Sequence, residues 1–329
     1  MFARLASIGA AVAMVVGAIA VRGRLDDRDE RSTTVLRLVC STEMAGPCRE
    51  LAAGDDRIRL TVETAETTGD RLEGADSDPG FDGWLVAGPW PTFVAEARQR
   101  AGREPLVGTS LVLARSPVGL LVWPDRAAVL GPRCGGTITW RCLGDVAGAR
   151  WSDLGGPEQW GPVKPGHPSV GTAEGLSVVG AATVGFFDRS DVTRVDLDDD
   201  GYRVWLARLE RNAGGRPPSP VEAMLLQGPA SFDAVGAIEA TALPLLARSA
   251  RPDKPTAIYP SPMVTADVVL GTTSGRAGEL LSMLVSGGAG RDALKRGGWK
   301  PAGVDNQRSG LPEPGVLDAL RTIVGEVVR

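Results

Sequence analysis

Apolar residues recur along this chain in two spacings. Short Val-, Ile- and Leu-rich runs bounded by Gly, Pro or hydroxyl residues read as buried strands, and longer amphipathic stretches read as helices. Residues 34–39 form the first such run. Ser41-Thr42-Glu43 follows, the hydroxyl and acidic chemistry of a helix start, and 44–53 is helix-compatible. Residues 58–63 predict a second strand, 83–87 a third ending in Gly88-Pro89-Trp90-Pro91, and 92–101 a helix. This alternation describes an α/β layered lobe.

Residues 111–114 and 118–123 are apolar and flank Arg115-Ser116-Pro117, a long extended stretch with a kink that suits a crossing between lobes. A second lobe follows. It has a short helical region at 151–154, a turn-rich entry at 163–168, and helices at 176–187, 202–212, 217–226 and 240–247, with a strand at 234–238. Residues 257–260 read as a strand returning to the first lobe, and 267–270 as another; helices are expected near 278–285, 291–296 and 314–328. The expected division is 1–32 as leader and linker, 33–114 with 258–329 as lobe 1, and 115–257 as lobe 2.

Arg4 precedes an apolar run at 5–21, and Arg22, Arg24 and a mixed-charge cluster at 26–31 follow it. As a helix the run covers about 26 Å, the short end for a membrane span. Two readings stay open: a retained signal-anchor, or a signal peptide cleaved at Ala18-Ile19-Ala20. The four cysteines form two couples with the same separation, Cys40 with Cys48 and Cys134 with Cys142. Neither has C-x-x-C spacing, so two local disulfides are the simplest of three pairings, and four free thiols the alternative. Disulfides place the globular part in an oxidising, extracytoplasmic space.

With 329 residues, 43% of them hydrophobic, the chain is long enough for two lobes. Net charge is −4 and no basic stripe with interleaved aromatics appears, which argues against nucleic acid as a partner. A single histidine, His167, makes triad or multi-His metal chemistry less favourable, and it reads as a loop residue. Asp196 to Gly201 starts like an EF-hand loop, but Ala207 stands where the closing Glu belongs, so it reads as an acidic turn before a helix. No P-loop, G-x-S-x-G, G-x-G-x-x-G or H-E-x-x-H motif is present.

Several segments, in order, resemble the bacterial extracellular solute-binding family with the type II periplasmic-binding fold, in the branch associated with von Willebrand factor type A proteins. They are Val39-Cys40-Ser41-Thr42-Glu43, Asp82-Gly83-Trp84-Leu85, Leu113-Ala114-Arg115-Ser116-Pro117-Val118, Pro168-Ser169 through Gly175-Leu176, Phe232-Asp233 through Thr241, Ala257-Ile258-Tyr259-Pro260, and the region 280–299. There is no Asp-x-Ser-x-Ser, so no von Willebrand domain is fused within this sequence. The resemblance implies a two-lobed α/β protein with a hinge that closes on a small polar or anionic solute. It implies no enzyme activity and no cofactor, with an ABC-type transporter or a surface receptor as partner and the membrane reached through the N-terminal helix. Ser41, Thr42, Ser169 and Thr172 are candidate ligand donors at helix N-termini, with Ser116 at the crossover. Trp84 and Tyr259 are candidate cleft walls, as is Trp90; Glu239 is a candidate contact for an amine or hydroxyl, and Lys164 for an anion. Each of these has a plain structural role as its alternative: cap, turn, core or solvated charge. A protein-interaction module without a small ligand, and a hydrolase or transferase using Glu239, are the competing functions.

Overall fold

The computed structural model describes residues 34–213, 217–302 and 310–328. The apolar run at 5–21 lies outside the described residues, and no helix among them is long and apolar enough to cross a membrane. The first part runs β1 (Leu36–Ser41), a helical turn (Thr42–Met44), α1 (Ala45–Gly54), β2 (Ile58–Glu63), α2 (Ala65–Gly74), β3 (Gly83–Ala87), α3 (Trp90–Arg100) and β4 (Gly108–Thr109). It continues with β5 (Ala114–Val122), α4 (Pro124–Arg133), α5 (Trp140–Val146), β6 (Pro165–Gly166), α6 (Ala173–Phe187), α7 (Asp200–Asn212), α8 (Pro220–Gln227), β7 (Ala234–Ile238) and α9 (Glu239–Arg248). The last part is β8 (Thr256–Ile258), β9 (Val264–Thr272), α10 (Arg276–Ser286), α11 (Gly288–Arg296), β10 (Lys300–Pro301) and α12 (Pro314–Val328).

The strands lie in the order β2-β1-β3-β9-β5-β7-β6. β1 is parallel to β2 and β3, and β6 is parallel to β7, as βαβ units require. β5 and β9 join the two groups. Ala114–Val118 of β5 pairs antiparallel with Val264–Val268 of β9, while Val118–Val122 pairs with β7. The far half of β9 pairs with β3. Within the expected kinked stretch at 111–123, Ala114–Val122 form one strand. Pro117 is tolerated because β7 begins to pair only at Val118, so its missing N–H falls where the strand has a neighbour on one side. Arg115 on β5 donates to Asp267 on β9 at 2.9 Å.

One hydrophobic core runs through both halves, from Leu38 and Trp84 to Trp140 and Tyr202. α6 is its centre. Every residue of that helix is buried except Glu174 and Phe187, and it touches β3 and β9 as well as β5 and β7. α12 packs on α6 and bridges α3 of the first half to α7 of the second. Gly180 permits this approach, since a methyl there would lie 2.8 Å from Leu317 Cδ2. A smaller cluster around Trp123, Met224, Phe232 and Val235 involves α8, β7 and α9.

Both disulfides form as the spacing predicts. Cys40–Cys48 ties the end of β1 to α1, and Cys134–Cys142 ties the end of α4 to α5. Closing so short a loop restricts the unfolded chain by about 2.5 kcal/mol. The double substitution Cys134→Ser with Cys142→Ser is expected to lower stability by about that amount in urea unfolding, with no change of fold by circular dichroism. The acidic turn at 196–201 also forms: Asp199 caps α7 by accepting from the Tyr202 amide at 2.7 Å. His167 lies in the loop after β6 but is buried, and its Nε2 stands 3.0 Å from Glu210 Oε1.

Candidate functional site

A cavity of about 550 Å³ opens where the strands of both halves end. β1 runs into Thr42 and Glu43, and α1 adds Gly46, Pro47, Arg49 and Glu50. Opposite them stand Glu174 in the first turn of α6 and Thr241, Pro244, Leu245 and Arg248 of α9, which follows β7. Ser219 to Glu222 at the start of α8, and Arg296 with Gly297 at the end of α11, complete the wall. Carboxyl ends of strands meeting helix N-termini is where α/β folds hold ligands.

Two carboxylates mark the cavity, one from each half. Glu43 Oε1 accepts from the Ala87 amide at 3.2 Å and from the Ser41 hydroxyl. Glu174 Oε1 accepts from the Ile238 amide at 2.9 Å and from the Thr241 hydroxyl. Burial raises the pKa of both. For Glu174 it rises to about 7; desolvation is the main cause, its hydrogen bonds oppose the rise, and the charge of Glu43 adds to it. Gly175 sets Glu174 in place. The carbonyl of Ser169 folds back so closely over the helix start that a Cβ on Gly175 would lie 2.1 Å from it.

The sequence-predicted residues divide. Thr42 lines the cavity. Ser41 is fully buried and serves Glu43 rather than open space. Thr172 caps α6, accepting from the Gly175 amide at 3.0 Å, and Ser169 accepts from the Gly171 amide within the same loop. Ser116 is buried and accepts from the Ala240 amide at 2.9 Å, fastening the start of α9 to β5. Trp84 and Trp90 are buried in the core. Tyr259 and Glu239 stand together beside Gly119 and Leu120 of β5, the phenol donating to Glu239 Oε2, with Lys300 Nζ 3.3 Å from Oε1. Lys164 donates to the carbonyls of Pro229 and Ala230. Sequence reasoning did not single out Glu43 or Glu174. Both sat inside segments flagged for their hydroxyls, and an acid in a first helical turn reads as a partner for the helix dipole.

This architecture is the type II periplasmic-binding-protein fold. Iron-bound HitA from Pseudomonas aeruginosa superposes with a TM-score of 0.60 at 13% identity, over 89% of this chain and 99% of that one. AfuA from Actinobacillus pleuropneumoniae, with fructose-6-phosphate bound, gives 0.57 at 11% identity, over 90% and 98%. A periplasmic thiamin binding protein gives 0.57 at 12%, over 90% and 96%. No protein-family model matches the sequence, and no curated protein matches it.

Proposed function

We propose that this chain is an extracytoplasmic solute-binding protein that holds a small polar ligand in the cavity between its halves. The observation that carries this is the cavity itself, built at the strand ends from both halves of a fold whose neighbours hold solutes. Lobe 1 is residues 33–114 with 258–329, lobe 2 is 115–257, and β5 with β9 forms the hinge. Contacts present only in the closed state favour closure. The paired disulfides support an oxidising compartment. The apolar run at 5–21 would tether the protein to the membrane, or direct secretion if it is cleaved, and a transporter or surface receptor would read the closed form. Thr42 and Thr241 line the cavity with hydroxyls that already serve Glu43 and Glu174; Ser41, Ser116, Ser169 and Thr172 shape the elements around them.

Thermal unfolding of the full chain with a panel of amines, sugars, oxyanions and divalent metals tests this. A true ligand stabilises by about 2.7 kcal/mol at a hundred times its Kd, saturably. An intact cooperative fold that no member of the panel shifts would turn the assignment toward a protein-interaction module.

A further inference from the structure

The hydrogen-bond donors at the strand ends are already spent on the protein's own carboxylates. The Ser41 hydroxyl and the Ala87 amide serve Glu43, and the Ile238 amide and the Thr241 hydroxyl serve Glu174. An oxyanion placed there would find these donors occupied and two carboxylates facing it. Meanwhile the second oxygens are underused. Glu174 Oε2 has no hydrogen-bond partner among the described residues, and Glu43 Oε2 meets only the Thr42 hydroxyl at 3.4 Å. Neither acid makes an ion pair among the described residues. Around the cavity the other charges are Arg49 and Glu50 on α1, Glu222 on α8, Arg248 on α9 and Arg296 beyond, and Arg296 is paired with Glu50. Desolvation opposes the ionisation of both acids, and the charge of Glu43 further opposes that of Glu174.

We infer that the solute carries a protonated amine or guanidinium group, seated between Glu43 and Glu174. This rests on the solute-binding reading and narrows it. One acid comes from each half, so closing the halves around an empty cavity brings like charges together. A cation between them removes that repulsion, and it does so only in the closed form, which is the condition for a ligand to drive closure. Arg49 and Arg248 are exposed at the cavity wall and leave room for an acidic group elsewhere on the same solute.

Calorimetric titration of the full chain decides it, with ethanolamine, 1,4-diaminobutane and guanidinium as probes and glucose and phosphate as amine-free controls. At least one amine or guanidinium probe is expected to bind saturably, and to bind at least about tenfold more weakly in Glu174→Gln and in Glu43→Gln. Repeating the titration near neutral pH in buffers of different ionisation enthalpy reads the proton balance on the unaltered chain, whatever the variants do to folding. A cation favours ionised carboxylates, so binding must release protons. Binding of glucose or phosphate with no amine or guanidinium binding, or cation binding that takes up protons or survives both substitutions, overturns the inference and leaves the solute-binding reading standing. No binding by probes of either kind also overturns the inference, and the wider panel then decides the solute-binding reading.

Discussion

Glu174→Gln is expected to stabilise the ligand-free protein above about pH 8 and to leave it unchanged below about pH 4. The direction follows from where the proton sits. In the unfolded chain Glu174 has its ordinary pKa of 4.5; in the folded one it is raised to about 7. Between those values the folded state holds a proton that the unfolded state has lost, so stability falls as pH rises through that window and stays low above it. Gln mimics the protonated side chain in shape and removes that loss. Glu174 is half-buried, so the gain is on the order of 2–3 kcal/mol above the window and near zero below it. Urea unfolding of both proteins across the pH range measures the difference directly. A Glu174→Gln protein that is less stable than the parent at high pH would show that the carboxylate holds its neighbours together rather than straining them. The stabilised variant is also the one expected to lose amine binding, so stability and binding should move in opposite directions at this residue.

Leu317→Ala is expected to cost about 2–5 kcal/mol and to lower the melting temperature of the whole molecule in one transition. Leu317 is fully buried on α12, against Gly180 of α6, and α12 also packs on α3 and α7. The cavity left behind would sit in the core shared by both halves, where neither can relax alone. Calorimetry shows the outcome: a single lowered transition fits a shared core, and a melt that splits in two, or a cost under about 1 kcal/mol, would show that the halves are held independently.

What could be read from the sequence was what repeats locally. β1, β2, β3 and β7 stand within a residue or two of the runs that predicted them; β1, β3 and β7 are short, largely buried apolar runs, and β2 at the sheet edge alternates apolar Ile58, Leu60 and Val62 with polar residues. α2, α4 and α5 were not foreseen. α2 is Ala-Glu-Thr-Thr-Gly-Asp-Arg-Leu-Glu-Gly, with too few apolar positions to show a period, and α4 carries Pro132 just before Cys134 and a Gly pair. The neighbourhood of the site was legible, since a strand ending in hydroxyl and acidic residues marks a helix start at the rim of a sheet. Which side chain does what was not. Ser116 and Thr172 carry the hydroxyls expected of ligand donors but are taken up by the Ala240 and Gly175 amides. Glu43 and Glu174 acquire meaning only by lining the same cavity, and nothing local to either one announces the other.

The sheet order also sets a timetable for the growing chain. β3 is complete early, yet its outer neighbour is β9, with Trp84 opposite Gly271. Until β9 emerges, β3 offers a fully buried-type edge, five apolar or small residues with unpaired backbone groups, of the kind that recruits other chains. Pairings this distant in sequence form slowly. The β2-β1-β3 part of the sheet is therefore unfinished for most of synthesis, and a fragment that stops short of Val264 keeps the open edge. The connectivity that places the cavity between the two groups of strands thus also delays completion of the sheet until Val264–Thr272 has been made.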